Sequence, residues 1–187
     1  MTEIEIKVQV ENDRQLKQFL AKEAKLVKEE RQTDSYFTPK DRSYADAVPI
    51  KEWLRLRQAK DGALINYKCW HYQPDGTSHH NDEHETAIGN IDQARSILEV
   101  LGFEPLINVQ KKRLSYQYQD YEISIDEVEG LGSFVEIEWK GQNGVNPKEI
   151  TDQMMVFLQR FDPGRIDRGY KGYPKLLLER KLGRSLR

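Results

Sequence analysis

Glu3, Glu5, Lys7 and Gln9 occupy alternate positions of the stretch Glu3-Ile4-Glu5-Ile6-Lys7-Val8-Gln9-Val10. In an extended strand successive side chains point to opposite faces, so these four share one face and Ile4, Ile6, Val8 and Val10 the other. Two carboxylates and an ammonium then stand in a row about 6–7 Å apart. Carboxylate oxygens at that spacing suit a hard divalent cation, and the adjacent lysine suits a phosphate that the cation also holds. The competing reading is a half-buried antiparallel strand with a solvated charged face. What separates the two is whether other strands repeat the pattern.

Further along the chain the alternation recurs. Leu54 and Leu56 oppose Arg55 and Arg57 within a strand expected over 52–58. Lys68 and Trp70 oppose Ile65, Tyr67 and Cys69 over 63–72, and Glu83 and Glu85 share a face over 83–88. Lys111, Arg113 and Ser115 oppose Lys112, Leu114 and Tyr116 within 104–118. Ser124 and Asp126 oppose Ile123 and Ile125 over 121–128, and Glu136 and Glu138 oppose Val135, Ile137 and Trp139 over 133–140. A further strand is expected over 26–37, followed by a loop, 38–50, rich in Pro, Asp and Ser.

Helices must cover the apolar faces of these strands. Apolar spacings of three and four predict amphipathic helices over 11–24 (Leu16, Phe19, Leu20), 91–101 (Ile91, Ala94, Leu98) and 147–161 (Ile150, Met154, Phe157, Leu158). Asn12 or Asp13, Asn90 and Asn146 stand at their N-cap positions, Pro147 fits a first helical turn and Gly102 a helix stop. The glycines of Glu129-Gly130-Leu131-Gly132 allow positive φ in a tight connection. A short helix is compatible with the basic tail, which carries Leu176, Leu177 and Leu178.

The 187 residues suffice for one domain with a real core, taken as 1–187. Hydrophobic residues make up 37% and charged residues 32%, so many charges must be solvated or used. With 29 basic and 31 acidic residues, bulk charge gives no argument for nucleic acid or an acidic membrane. The single cysteine, Cys69, allows no internal disulfide and fits a reducing cytosol. No apolar run has the length of a membrane span, and the N-terminus lacks a signal-peptide layout, so a cytoplasmic protein is expected. Homodimerisation is compatible with a small barrel, and nothing in the sequence establishes it.

About eight strands alternate charged with apolar residues. Their charged faces either meet solvent, with cross-strand Arg–Glu pairs, or face one another inside a closed barrel. A barrel interior of near-balanced charge cannot be dry, because unpaired buried ions cost several kcal/mol each. A polyphosphate with divalent cations satisfies both signs at once. His71, His79, His80 and His84 invite a zinc reading, but no cysteine or tight ligand pair accompanies them. Trp53 and Trp70 could stack on a base, or pack.

Glu3-Ile4-Glu5-Ile6-Lys7 resembles the Glu-x-Glu-x-Lys signature of the CYTH superfamily, the triphosphate tunnel metalloenzymes. The rest of the set follows in order: Asp34-Ser35-Tyr36-Phe37, Leu54-Arg55-Leu56-Arg57, Lys68, Glu83-His84-Glu85, Lys111-Lys112-Arg113. The stretch from Asp126 to Glu138, of the form Asp-x-Val-x-x-Leu-Gly-x-Phe-x-Glu-x-Glu, is most similar to the class IV adenylyl cyclase branch. The resemblance runs from residue 3 to about 140, and more loosely to the tail. It departs at Gly169-Tyr170, where the family often has a Ser-Tyr pair.

This resemblance implies an α+β fold, a closed antiparallel eight-stranded β-barrel (tunnel) with helices packed on its outside. It implies ATP or another triphosphate as substrate, with Mg²⁺ or Mn²⁺ as cofactor. Glu3, Glu5 and Glu136 would be metal ligands, supported by Glu85 and Glu138. Lys7, Arg55, Arg57, Lys68, Lys111 and Arg113 would hold phosphates. Lys111 and Arg113 would also stabilise leaving pyrophosphate, and Asp126 would orient a basic neighbour or reach a second metal. Three activities share these residues: cyclisation of ATP to cyclic AMP and pyrophosphate, hydrolysis of a triphosphate such as tripolyphosphate, thiamine triphosphate or a nucleoside triphosphate, and non-catalytic phosphate binding. The retained acids favour the first two, and the Asp126–Glu138 stretch favours the cyclase.

Overall fold

The structure, a computed structural model, describes residues 4–72, 78–142, 144–167, 171–183 and 185–186. Among these, nine strands and four α-helices run in the order β1 (Glu5–Val10), α1 (Arg14–Glu23), β2 (Lys25–Pro39), β3 (Glu52–Ala59), β4 (Gly62–Tyr72), β5 (Ser78–Ile88), α2 (Ile91–Val100), β6 (Phe103–Tyr118), β7 (Tyr121–Val128), β8 (Gly132–Trp139), α3 (Pro147–Gln159), β9 (Ile166–Asp167) and α4 (Tyr173–Leu182). A short 3-10 turn, Tyr44–Asp46, lies within the loop expected over 38–50. Glu3 and the Gly169-Tyr170 pair lie outside the described residues.

The expectation of a closed eight-stranded barrel is not met. The strands form one antiparallel sheet of nine, in the order β5-β4-β3-β2-β6-β7-β8-β1-β9, with β5 and β9 at its edges and no pairing between them among the described residues. Alternation assigns side chains to faces but carries no information on whether edges meet, because closure depends on strand tilt and stagger. The additional strand, β9, has two residues paired with Gln9 and Val10 on β1, too short to show periodicity in the sequence. β5 begins at Ser78 and so takes in His79 and His80, ahead of the strand expected from residue 83.

The chain divides into two compact units, 1–31 with 111–171 and 32–110 with 172–187. In the first, Ile6, Val8 and Val10 of β1, Ile123 and Ile125 of β7, and Val135 and Ile137 of β8 present one apolar face. Leu16 and Leu20 of α1 and Ile150, Met154 and Leu158 of α3 close over it, each buried. Phe19 of α1 meets Tyr118 of β6 edge-on at 5.2 Å and Phe157 of α3 edge-on at 6.0 Å, tying the two helices to the sheet. Burying each such large side chain contributes about 1.5–3 kcal/mol. In the second unit Phe37, Leu54 and Leu56 pack with Leu98 of α2 and Tyr44.

Local signals behave as their chemistry requires. The Asn90 side chain accepts from the Gln93 N–H at 2.9 Å, and Asn146 from the Lys148 N–H at 3.0 Å, capping α2 and α3. At α1 the capping group is displaced: Asp13 makes no side-chain cap bond, and Asn12 accepts from the Arg14 N–H at 3.1 Å. Gly130 and Gly132 have φ of 77° and 93°, which lets β7 turn directly into β8. With helices covering the apolar faces, the opposite faces of both units are left to the charged residues.

Candidate active site

On the polar face of the first unit, strand register sets side chains in rows. Glu5 stands opposite Glu138, and Glu138 opposite Glu122. The next row is Lys7, Glu136, Ser124 and Ser115. The third is Gln9, Phe134, Asp126 and Arg113. Adjacent rows are two residues apart, about 6–7 Å.

Ion pairs knit the second and third rows together. Arg113 donates to both oxygens of Asp126, Nε at 2.6 Å and Nη2 at 2.8 Å, and its Nη2 also reaches Glu136 at 3.1 Å. Lys111 Nζ donates to Asp126 at 3.1 Å, and Lys7 Nζ lies 2.6 Å from Glu136. Asp126 is 1% exposed. Burial pushes the Glu136 carboxyl up, but Lys7 and Arg113 outweigh it and hold the group below its ordinary range. Among these five residues three cations face two carboxylates. The Ser115 and Ser124 hydroxyls bond each other at 2.7 Å beside them.

The acidic row beside this cluster fits a hard cation by the chemistry of its donors, Glu5, Glu138 and Glu122. Among the described residues no three acidic, histidine or cysteine side chains close into a metal cage. Glu138 also pairs with Lys140 at 2.6 Å.

The second unit repeats the motif on its own polar face. Asp34, 3% exposed, accepts from Arg57 Nε at 2.6 Å and Nη2 at 2.7 Å, with Arg55 Nη1 at 3.6 Å. In both units, therefore, a buried aspartate is forked by the arginine directly opposite it. The base two residues before that arginine reaches the same carboxylate. Arg55 Nε is buried with no hydrogen-bond partner among the described residues, and Arg55 Nη2 stands 3.9 Å from Glu85. A planar guanidinium with an unpaired N–H suits phosphate oxygens. Tyr36, opposite Arg55, has its hydroxyl pushed up to about 12, by burial first and then by Asp34. Asn66 Nδ2 donates to Glu83 at 2.8 Å and Glu85 at 3.1 Å, and Lys68 pairs with Glu83 at 3.0 Å. Burial raises the Glu83 carboxyl, but Asn66 and Lys68 bring it below its ordinary range.

The structure thus brings Glu5, Lys7, Lys111, Arg113, Asp126, Glu136 and Glu138 onto one face of the first unit. It brings Arg55, Arg57, Lys68 and Glu85 onto one face of the second. Sequence reasoning gave no role to Asp34, Asn66 or Glu122. Alternation alone would have placed Glu122 with Ser124 and Asp126, whereas Asp34 and Asn66 are revealed only by register. Of the residues singled out for zinc, His71 pairs with Asp82 at 2.6 Å, and the His79 and His80 side chains lie outside what the structure describes. Trp53 packs edge-on against Tyr36 at 5.6 Å, and Lys68 sits over the Trp70 ring at 5.6 Å.

Comparison with known proteins follows the same lines. The CYTH domain family model matches residues 1–170. A Methanocaldococcus jannaschii protein named "Putative adenylate cyclase MJ0240" is 32% identical over 178 residues, covering 94% of this chain and 98% of the relative. Among solved structures, the PH1819 protein of Pyrococcus horikoshii aligns with a TM-score of 0.67 at 24% identity, over 96% of this chain and 99% of its own. HpAC1 from Hippeastrum aligns with a TM-score of 0.68 at 19% identity, over 99% and 98%. At those identities the structural likeness shows the fold. Among the described residues no helix is long and apolar enough to cross a membrane.

Proposed function

Because the chain belongs to the CYTH domain family, we propose that it is a divalent-metal-dependent enzyme that converts ATP to cyclic AMP and pyrophosphate. The observation that carries this reading is the Lys7–Glu136–Arg113–Asp126–Lys111 network beside the carboxylates of Glu5 and Glu138. A cation-rich cluster and an acidic row on one rigid face match a polyphosphate with its counter-cation. The relative named as an adenylate cyclase, 32% identical over nearly its whole length, supports it further.

In this reading Lys7, Lys111 and Arg113 hold phosphate oxygens and orient the α-phosphorus toward the ribose 3′-hydroxyl. The hydroxyl oxygen bonds to the α-phosphorus, the α–β anhydride bond breaks, and the hydroxyl proton is released. Lys111 and Arg113 then bear the charge that develops on departing pyrophosphate, the largest expected contribution to catalysis. Asp126 fixes the guanidinium plane of Arg113, so little reorganisation is needed at the moment of reaction. Mg²⁺ or Mn²⁺ held by Glu5, Glu136 and Glu138, with Glu3 carried over from the family pattern, would acidify the attacking hydroxyl and offset phosphate charge. In the second unit Arg55, Arg57 and Lys68 carry the same phosphate-binding chemistry, and Glu85 is a further oxygen donor.

One observation favours a second reading, hydrolysis of the triphosphate. HpAC1, a structural neighbour, is described as a "putative adenylyl cyclase" with a dominant triphosphatase activity. The same cations would serve, with water attacking phosphorus. Chromatography of products from ATP, tripolyphosphate and thiamine triphosphate, each with Mg²⁺ or Mn²⁺, separates the two. Cyclic AMP with pyrophosphate supports cyclisation; orthophosphate without cyclic product replaces it with hydrolysis.

A further inference from the structure

Ser115 of β6 and Ser124 of β7 stand directly opposite each other, and their hydroxyls bond at 2.7 Å. Both are deeply buried, 4% and 3% exposed. They belong to the row that carries Lys7 and Glu136: Ser124 is opposite Glu136, and Glu136 is opposite Lys7. Two residues along the same strands stand Arg113 and Asp126. Within the three rows of this face the two serines are the shortest side chains. The polar surface is therefore lowest between the acidic row and the Arg113–Asp126 fork.

The pair is one acceptor short. A serine hydroxyl carries one proton and accepts through its oxygen. One serine gives its proton to the other, and whichever way that bond runs, the second proton is left over. Among the described residues neither hydroxyl has another polar partner. Glu136, the carboxylate across from Ser124, is engaged instead by Lys7 at 2.6 Å and by Arg113 at 3.1 Å. A buried hydroxyl proton without an acceptor is costly, and native structures as a rule complete such a group with water or a ligand.

We propose that the Ser115–Ser124 pair donates one hydroxyl hydrogen bond to a phosphate oxygen of the triphosphate, beside Lys7 and Arg113. The inference rests on the proposed triphosphate site and adds a neutral donor to its cations. Donation through two hydroxyls in series strengthens the bond, because each polarises the next. The donor carries no charge, so salt does not screen its contribution as it screens that of a cation.

The test is calorimetric binding of ATP and of tripolyphosphate, each with Mg²⁺, at low and at moderate salt. The proteins compared are wild type, Ser115→Ala, Ser124→Ala and the double variant. The double variant replaces both partners of a buried bond by apolar groups of similar shape, which is close to neutral for folding, and a thermal melt near that of wild type checks it. Loss of a hydrogen bond to a charged group predicts roughly tenfold weaker binding of both ligands by the double variant. The more damaging single variant should match the double within about twofold, because the two hydroxyls act as one donor. The loss should be the same at both salt concentrations, whereas that of Arg113→Ala shrinks as salt rises. Wild-type affinity in the double variant, a loss for ATP alone, or a loss that fades with salt overturns the hydroxyl donor and leaves the triphosphate site standing. Single losses that multiply in the double variant overturn the shared donor. Failure of the wild-type protein to bind either ligand overturns the triphosphate site itself, and the donor with it.

Discussion

Replacing Asp126 with asparagine probes the centre of the network. Asp126 is 1% exposed and receives three hydrogen bonds from two cations, at 2.6, 2.8 and 3.1 Å. Asparagine keeps one acceptor oxygen but turns an amide N–H₂ toward a guanidinium or an ammonium. Breaking a buried ion pair from one side costs about 3–5 kcal/mol, because the remaining charge stays desolvated. Two features reduce that figure here: Arg113 keeps its bond to Glu136, and its side chain is 19% exposed. A loss of ~2–4 kcal/mol is expected, within the ~5–15 kcal/mol of an ordinary domain, so the variant should stay folded. Urea unfolding followed by circular dichroism reads it as a lower midpoint at unchanged slope. Saturating tripolyphosphate should narrow the gap between variant and wild type, because the stranded cations gain phosphate oxygens in place of the carboxylate. A loss below ~1 kcal/mol would mean that the aspartate does not balance the two bases. A gap unchanged by tripolyphosphate would show that these cations do not meet phosphate.

Glu5→Ala should abolish divalent-dependent turnover while leaving the melting temperature near that of wild type; undiminished turnover removes Glu5 from the metal set. Arg113→Ala should weaken triphosphate binding more than monophosphate binding, read by calorimetry, and equal losses count against a phosphate clamp. Glu136 supplies a pH dependence. Its folded pKa lies below the ordinary value of 4.5, so its stabilising contribution is fully present above that value and disappears as pH falls through the depressed one. Glu136→Gln should therefore differ most from wild type above about pH 5, with the two unfolding curves converging in more acidic buffer. A constant difference across that range refutes the pairing with Lys7 and Arg113.

The sequence by itself determined which side chains share a face. Alternation in 5–10, 121–128 and 132–139 separates apolar from charged residues because the strand repeat is two, and no tertiary contact can change that parity. The helices were legible for a related reason: Leu16 with Leu20, and Ile150, Met154 and Leu158, form stripes that only a 3.6-residue period aligns. The Asn90 and Asn146 caps, and the positive φ at Gly130 and Gly132, follow from local chemistry as well.

Tertiary structure decided everything that depends on which strands become neighbours. Strand order places Asp34 against Arg57 and Asp126 against Arg113, pairs separated by 23 and 13 residues that no local pattern connects. Register brings Asn66 between Glu83 and Glu85, and aligns Glu122 with Glu138 and Glu5. The open nine-stranded sheet, where a closed barrel of eight was expected, belongs to the same class. Closure is a property of tilt, stagger and edge pairing summed over all strands, and face parity is silent on each of them. The pairing of β9 with β1 is tertiary too: it has two residues, and the loop before it is clamped to Glu11 through the Pro163 carbonyl and the Arg165 N–H.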